Sequence, residues 1–408
     1  MQSFLDIDHY KFTMGQFVFH RYPNVPVKYA FTNRTKSVSL ADVIDEKDLR
    51  RELDFVQQLK PTKEEINYLR SLKNNGEQLC KEDYLNFLGE VQLPNYSLKK
   101  EDGNFQLEFE GPWKTAIYWE TMALSVMNEL YYQSLMKEMN SEQIENIYTT
   151  GKRNLEEKIK ILQENPEVVF MEFGTRRRFS RDWQEYVVRR FKEAVPNQIT
   201  GTSNVSLAMK TGLAPRGTMA HELFMIMSGI MHGSDDEIRA SHNQVLREWW
   251  DEYGYDLSIA LTDTYGSEFF FNDFSKKQAE DWKGLRQDSG VPGYFLKKQL
   301  QFYGDRNIDS RKKIFAPSDG LELGKILLLH NQSRGKIIQL PGWGTNATND
   351  MGLKTLSMVV KAVESCGYGT VKLSDNPAKT MGKREDVKRF MKIFEYDPSK
   401  YQMEECKY

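Results

Sequence analysis

After residue 135 of this chain, short apolar segments alternate with longer segments of helical character, and this alternation restricts the fold more than any other feature. The strand candidates are "VVFMEFG", "NQITGTS", "APRGTMAH", "LSIALTDTYG", "GLRQDSG", "KIFAPSDG" and "IIQLPGWGTN". Helical segments such as "DWQEYVVRRFKEAV", "DEIRASHNQVLREWWDEYG" and "YFLKKQLQFYG" lie between them. Units of this kind build a parallel sheet or a closed barrel. A doubly wound sheet would mark one phosphate loop with GxGxxG, and the sequence has none. Nearly every candidate ends in Thr, Asp, Arg, Ser or His, just where a helix begins. In a βα barrel those strand ends share one mouth, where active sites lie. The expected class is α/β, an irregular βα barrel preceded by an N-terminal α/β domain.

The N-terminal stretch reads differently. "VPVKYAFTNR" and "FQLEFEGPW" have the β-branched and aromatic content of strands. "LMKEMNSEQIENIYTTGKRNLEEKIKILQE" reads as helix, ending at Asn165-Pro166. The expected division is 1–135 for the N-terminal domain, completed by 371–408 through "VKLSDNPAKTMG", and 136–370 for the barrel. A chain of 408 residues has room for both.

Charge excludes some partners. Lys and Arg number 56 against 58 Asp and Glu, so nothing global favours nucleic acid or an anionic membrane, and any anion site must be local. Cys80, Cys366 and Cys406 form no CxxC pair, which fits a reducing compartment. The start "MQSFLDIDHYKFTM" lacks the pattern of a signal peptide, and no stretch of 18 apolar residues occurs. The expected location is cytoplasmic.

Four motifs carry possible chemistry. In "MEFGTRRRFSRDW", Arg176, Arg177 and Arg178 follow a strand and a glycine. Arginine forks suit a polyphosphate, although consecutive arginines commonly face solvent or pair with acids. In "GLRQDSG", strand alternation puts Arg286 and Asp288 on one face. They either pair with each other, or Arg286 meets a substrate carboxylate while Asp288 takes a hydroxyl or a metal. "APSDG" repeats the theme with Ser318, Asp319 and Gly320. In "PGWGTNATND", Gly344 and Thr345 form a turn whose backbone N–H groups could cradle phosphate.

The fourth is "RGTMAHE". The six histidines show no HExxH spacing, so no metal ligands are assigned. A lone His221 beside an apolar helix is ordinarily a hydrogen-bonded structural residue. Here the Gly217–Thr218 turn exposes it at the mouth, with Glu222 at hand to orient it, which also fits a nucleophile.

Taken together, the chain resembles the nicotinate phosphoribosyltransferases, almost from end to end. The resemblance rests on "DIDHYKFTMGQFVFHRYPNVPVKYAFTNR", "EGPWKTAIYWET", "EFGTRRRFS", "GTSNVSLA", "PRGTMAHE", "GLRQDSG", "SDGL", "GWGTNATND" and "VKLSDNPAKTMG". It implies a type II phosphoribosyltransferase, a homodimer with shared active sites. "SIALTDTYG", with only Asp263, departs from the paired acids of type I enzymes. The implied reaction joins nicotinate to 5-phosphoribosyl 1-pyrophosphate, giving nicotinate mononucleotide and pyrophosphate for NAD biosynthesis. ATP is the co-substrate, acting through a phosphohistidine at His221, and Mg²⁺ assists. The resemblance assigns nicotinate contacts to Tyr10 (in the neighbouring subunit's site), Thr218 and Arg286. It assigns phosphoribosyl pyrophosphate contacts to Arg176, Gly320, Gly344 and Thr345, and catalytic roles to Asp288 and Glu222.

Other readings compete. Nicotinamide phosphoribosyltransferase shares the fold, and an arginine can face an amide as well as a carboxylate. A quinolinate enzyme needs no ATP and is usually shorter. A silent nicotinate-binding barrel could dispense with His221 and Arg286, yet both are present. An aldolase would want a Schiff-base lysine. Lys372 lies beyond the glycine turn that should close the barrel, so it is set aside.

Overall fold

The structure, a computed structural model, describes residues 1–402. Cys406 and the end of the expected C-terminal segment lie outside the described residues.

Two kinds of sheet meet in the molecule. The first is antiparallel, with five strands in the order Tyr368–Gly369, Met358–Ser365, Pro26–Asn33, Asn104–Pro112, Tyr96–Glu101. Burial along Pro26–Asn33 alternates, with Val27, Tyr29, Phe31 and Asn33 turned inward, the period of a strand with one covered face. Met358–Ser365 is buried over most of its length, because the helices Trp119–Lys137 and His221–Ile230 pack against it. Trp119–Lys137 itself is buried on nearly every side up to Tyr132, as a helix between layers must be.

The parallel strands form two arcs rather than one continuous ladder. One has the order Ile338–Gln339, Ile314–Pro317, Gly284–Gln287, Ile259–Leu261; the other Gly342–Trp343, Phe170–Glu172, Ile199–Thr202. Residues 338–343 join them, since the Leu340 N–H donates to Phe315 O and the Met171 N–H donates to Pro341 O, each at 2.9 Å. Pro341 has no N–H to give, so the expected strand "IIQLPGWGTN" is broken into two short pieces there.

"APRGTMAH" is a correction. It forms one bridge, Thr202 to Pro215, and no strand. Pro215 lacks a donor, and Gly217 turns the backbone to φ +131°, out of the strand region. A Cβ on Gly217 would lie 3.3 Å from the Tyr10 nitrogen, so the departure lets the N-terminal helix come close. The other six candidates each contain strand. The α/β class holds. Met358–Ser365 lies in the antiparallel sheet, so the chain returns to that sheet ahead of residue 371. No described helix is long and apolar enough to cross a membrane.

Candidate active site

The parallel strands Phe170–Glu172, Gly284–Gln287, Ile314–Pro317 and Gly342–Trp343 lead at their C-terminal ends into one cavity of about 390 Å³. Phe173 and Arg176 follow Phe170–Glu172, Asp288 follows Gly284–Gln287, Ser318 to Gly320 follow Ile314–Pro317, and Gly344 and Thr345 follow Gly342–Trp343. The antiparallel sheet supplies another wall through Val359 and Lys361. Arg34, Arg176, Arg177, Lys361, Lys372 and Lys379 line the space, against Asp288, Asp319, Glu322 and Asp350. A cavity lined by so many cations suits a polyanion.

The three arginines of "TRRR" part company. A 3-10 turn over Thr175–Arg177 sends successive side chains in different directions. Arg176 and Arg177 line the cavity. Arg178 is fully buried and gripped at both ends, by Asp6 at 2.6 and 2.8 Å and by Glu129 at 2.6 and 2.9 Å. It ties the chain start to the strand end.

His221 opens the helix His221–Ile230 and is 3 % exposed. Its Nδ1 is 2.9 Å from Thr264 Oγ1, and its Nε2 is 2.9 Å from Lys372 Nζ and 3.1 Å from Asp288 Oδ2. Burial, and next the Lys372 ammonium, push the imidazole down to about 4. The ring is therefore neutral at physiological pH. Nε2 thus faces a donor, the Lys372 ammonium, and an acceptor, the Asp288 carboxylate: with the ring proton on Nδ1 it accepts from Lys372, with the proton on Nε2 it donates to Asp288. Burial also pulls Lys372 down to about 8. Burial opposes the Asp288 carboxylate as well, but Arg286, His221 and Lys372 together hold it well below its ordinary range.

Glu222 is a second correction. It does not touch His221; its carboxylate takes bonds from Lys11, from Tyr29 Oη at 3.0 Å and from Trp113 Nε1 at 3.3 Å. Neighbouring residues on a helix do not share a face, so a pairing inferred from adjacency fails. Lys372, set aside on sequence order, is a third. The segment 371–373 runs back beside Thr264, where the Leu373 N–H donates to Thr264 O at 2.8 Å, and this puts the amine against the histidine.

Tyr10, Thr218 and Arg286 gather around residues 217–219. Thr13, one turn beyond Tyr10, donates to Thr218 O at 2.7 Å, Thr218 donates to Ile259 O at 3.2 Å, and Arg286 Nη1 donates to Met219 O at 3.1 Å. Arg286 also pairs with Asp288 at 3.0 Å. Tyr10 is 1 % exposed, with the Arg176 guanidinium 5.7 Å from its ring centre.

The glycine turn is set by close packing. A Cβ on Gly174 would lie 1.9 Å from Thr348 Oγ1, and one on Gly344 would lie 3.1 Å from Phe173 O. Lys158, from the helix Ser141–Glu164, holds the turn from outside through Asn346 O at 2.7 Å and Asp350 at 2.5 Å. Phe173, Lys361 and Glu120 were missed by sequence reasoning. Lys361 and Glu120 did carry a signal: each is a lone charge in an apolar stretch, "MVVKAV" and "YWETMAL", and such a charge is seldom buried unless paired.

Comparison with known proteins gives the same reading. Residues 168–398 match the nicotinate phosphoribosyltransferase (NAPRTase) family, and residues 5–128 match the N-terminal domain of that family. Among solved structures, nicotinate phosphoribosyltransferase from Porphyromonas gingivalis is 27% identical at a TM-score of 0.85, covering 97% of this chain and 100% of its own. The Vibrio cholerae nicotinate phosphoribosyltransferase is also 27% identical at 0.85, over 97% and 94%. A putative nicotinate phosphoribosyltransferase from Saccharomyces cerevisiae is 27% identical at 0.84, over 97% and 99%. With more than half its length matched, and both sheets and the cavity arranged as described, the chain belongs to the nicotinate phosphoribosyltransferase family.

Proposed function

We propose that the chain transfers the phosphoribosyl group of 5-phosphoribosyl 1-pyrophosphate to nicotinate, driven by ATP through phosphorylation of His221, in the cytoplasm and as a homodimer with shared sites. The pyridine nitrogen has a free lone pair and needs no base. As it bonds to C1 of the ribose, the C1–O bond to pyrophosphate breaks and its electron pair leaves on that oxygen. Arg176 and Lys361 take up the charge on the phosphates. Gly344 and Thr345, with Gly320, receive the 5′-phosphate. Arg286 and Thr218 face the nicotinate carboxylate, and Tyr10 lies beside the pyridine. Asp288 stands near enough to favour the positive charge that develops on the ribose.

His221 Nε2 attacks the terminal phosphorus of ATP and ADP departs. In the neutral ring with its proton on Nδ1, the Nε2 lone pair is freed to attack as Lys372 turns from it to the arriving phosphoryl oxygens. Among the described residues no group of three or more His, Cys, Asp or Glu is placed to hold a metal ion. The residues present therefore fit Mg²⁺ carried by substrate phosphates and steadied by one or two carboxylates such as Asp319, where it would neutralise the leaving pyrophosphate.

The observation that carries this reading is His221 Nε2 between Asp288 and Lys372, on the wall of a cation-lined cavity. The test is an assay with phosphoribosyl pyrophosphate, Mg²⁺ and equal nicotinate and nicotinamide, with and without ATP, resolving the mononucleotides by mass. Nicotinate mononucleotide that rises with ATP, and loses that rise in His221→Ala, is expected. Nicotinamide mononucleotide as the main product, or an ATP response that survives in His221→Ala, would overturn it.

A further inference from the structure

Beside the cavity lies a charge cluster whose central carboxylate the proposed chemistry leaves without a task. Glu120, from the helix Trp119–Lys137, is 1 % exposed. Its Oε1 is 2.7 Å from Lys361 Nζ and 3.7 Å from Arg176 Nη1, and its Oε2 is 2.8 Å from Lys11 Nζ. The three cations come from different parts of the fold. Lys361 stands on the antiparallel strand Met358–Ser365, Arg176 in the turn after the parallel strand Phe170–Glu172, and Lys11 on the helix Tyr10–Arg21. Lys361 and Arg176 also line the cavity, so each shows one side to the carboxylate and another to whatever the cavity holds. Asp8 gives Arg176 a second anchor at 3.3 Å.

From this geometry we infer that Glu120 is a positioning residue for phosphate recognition: one buried carboxylate fixes a cavity cation from each kind of sheet, and so sets the distance between them. Burial alone would raise the Glu120 carboxyl, but Lys11, Lys361 and Arg176 hold it well below its ordinary range, so it stays ionised. Without that charge, Lys361 would lose its carboxylate partner, while Lys11 would keep only Glu222 and Arg176 only Asp8. Lys361 and Arg176 would separate, and a polyphosphate would lose two contacts made at once. Nicotinate, whose other expected contacts gather around residues 217–219, would feel the change only through Tyr10, whose hydroxyl donates to Glu120 Oε2 at 3.5 Å, and so less than the polyphosphate does. The assignment rests on the proposed substrates for its kinetic arm only.

The test uses the full chain as wild type, Glu120→Gln, Glu120→Asp, Lys361→Gln and the double variant Glu120→Gln/Lys361→Gln. Inorganic pyrophosphate binding is read by calorimetry, and KM for each substrate by steady-state assay. Glu120→Gln is expected to weaken pyrophosphate by about tenfold or more, the scale of a misplaced charge-assisted contact, and to raise KM for phosphoribosyl pyrophosphate while leaving that for nicotinate within about twofold. Adding it to Lys361→Gln should cost less than it does alone. Glu120→Asp keeps the buried charge but cannot reach both cations, so it should fold and fall between wild type and Glu120→Gln. If Glu120→Gln does not fold, the Asp variant decides. Pyrophosphate affinity equal to wild type, strict additivity with Lys361→Gln, or equal rises in both KM values would overturn the assignment. A wild-type chain that binds pyrophosphate but makes no nicotinate mononucleotide would overturn the proposed function, and leave the calorimetric arm intact.

Discussion

His221 and Glu222 are neighbours in sequence and inhabit two different clusters. On the Glu222 side, Lys11, Tyr29 and Trp113 all bond to the carboxylate, and Lys11 is shared with Glu120, whose own charge Lys361 balances. That cluster is closed and lies between the two layers of the fold. On the His221 side the groups are less complete. Asp263 Oδ1 is buried with no hydrogen-bond partner and lies 4.0 Å from Nε2, while Nε2 meets both a donor and an acceptor. That cluster opens into the cavity. A fully satisfied set of buried charges specifies an arrangement. A partly satisfied one at the rim of a cavity is left able to take up a ligand or a phosphoryl group.

The sharpest way to break this contrast is Glu222→Gln. The amide can still accept from Tyr29 or Trp113, but its NH₂ then faces the Lys11 ammonium, donor against donor, in a site without water. A loss of roughly 3 kcal/mol in unfolding free energy is expected, near the low end for breaking a buried ion pair, measured by urea denaturation. The ATP response of the folded fraction should persist. Its disappearance would return Glu222 to the role of orienting His221 and erase the division between the clusters.

That division marks where the sequence stopped being legible. The α/β class, and a shared mouth at the strand ends, followed from alternation and from polar residues in recurring places. His221, Asp288, Arg176, Gly320, Gly344 and Thr345 all reach that mouth. What failed were inferences from chain distance. Glu222 was assigned to His221 for being next to it, and Lys372 was discarded for lying beyond the last turn. The helix start sends the first pair apart, and the returning segment brings the second together. Which of the three arginines turns inward is left open by the sequence for a local reason: a 3-10 turn buries Arg178, and composition does not single it out. "APRGTMAH" had strand composition, but Pro215 and Gly217 forbid a ladder.

A second effect, of similar size, sharpens the histidine side. His221 is held at about 4 in the folded chain by burial first and then by Lys372, against an ordinary value near 6.5. The unfolded chain therefore binds this proton more readily, and stability falls as pH drops from about 6.5 to about 4, with nothing lost from this source above that window. The full loss is about 3 kcal/mol. His9, buried and likewise near 4, adds a separate loss over the same range. His221→Asn should thus flatten the acid limb of unfolding free energy against pH and leave the contribution of His9. An unchanged slope in His221→Asn would mean that the imidazole is not held neutral by its surroundings.

The smallest effect expected is at Lys372, and it bears on what the open cluster is for. Burial lowers this amine to about 8, with Asp263 and Asp288 opposing the shift. Its charge is therefore lost as pH rises through about 8, and with it go both the donor to Nε2 and a cation facing the cavity. The ATP-stimulated rate should decline above that pH. The closed cluster predicts no such limb, because Lys11 is raised rather than lowered: burial opposes its charge, but Glu120 and Glu222 outweigh it. Lys372→Arg keeps a charge at every accessible pH, so the decline should vanish at the cost of a few-fold lower rate from the bulkier fork. Lys372→Met should lower the rate throughout and also lose the limb. A decline near pH 8 that survives in Lys372→Arg would belong to another group, and Lys372 would then be a cation of the cavity wall that does nothing for the histidine.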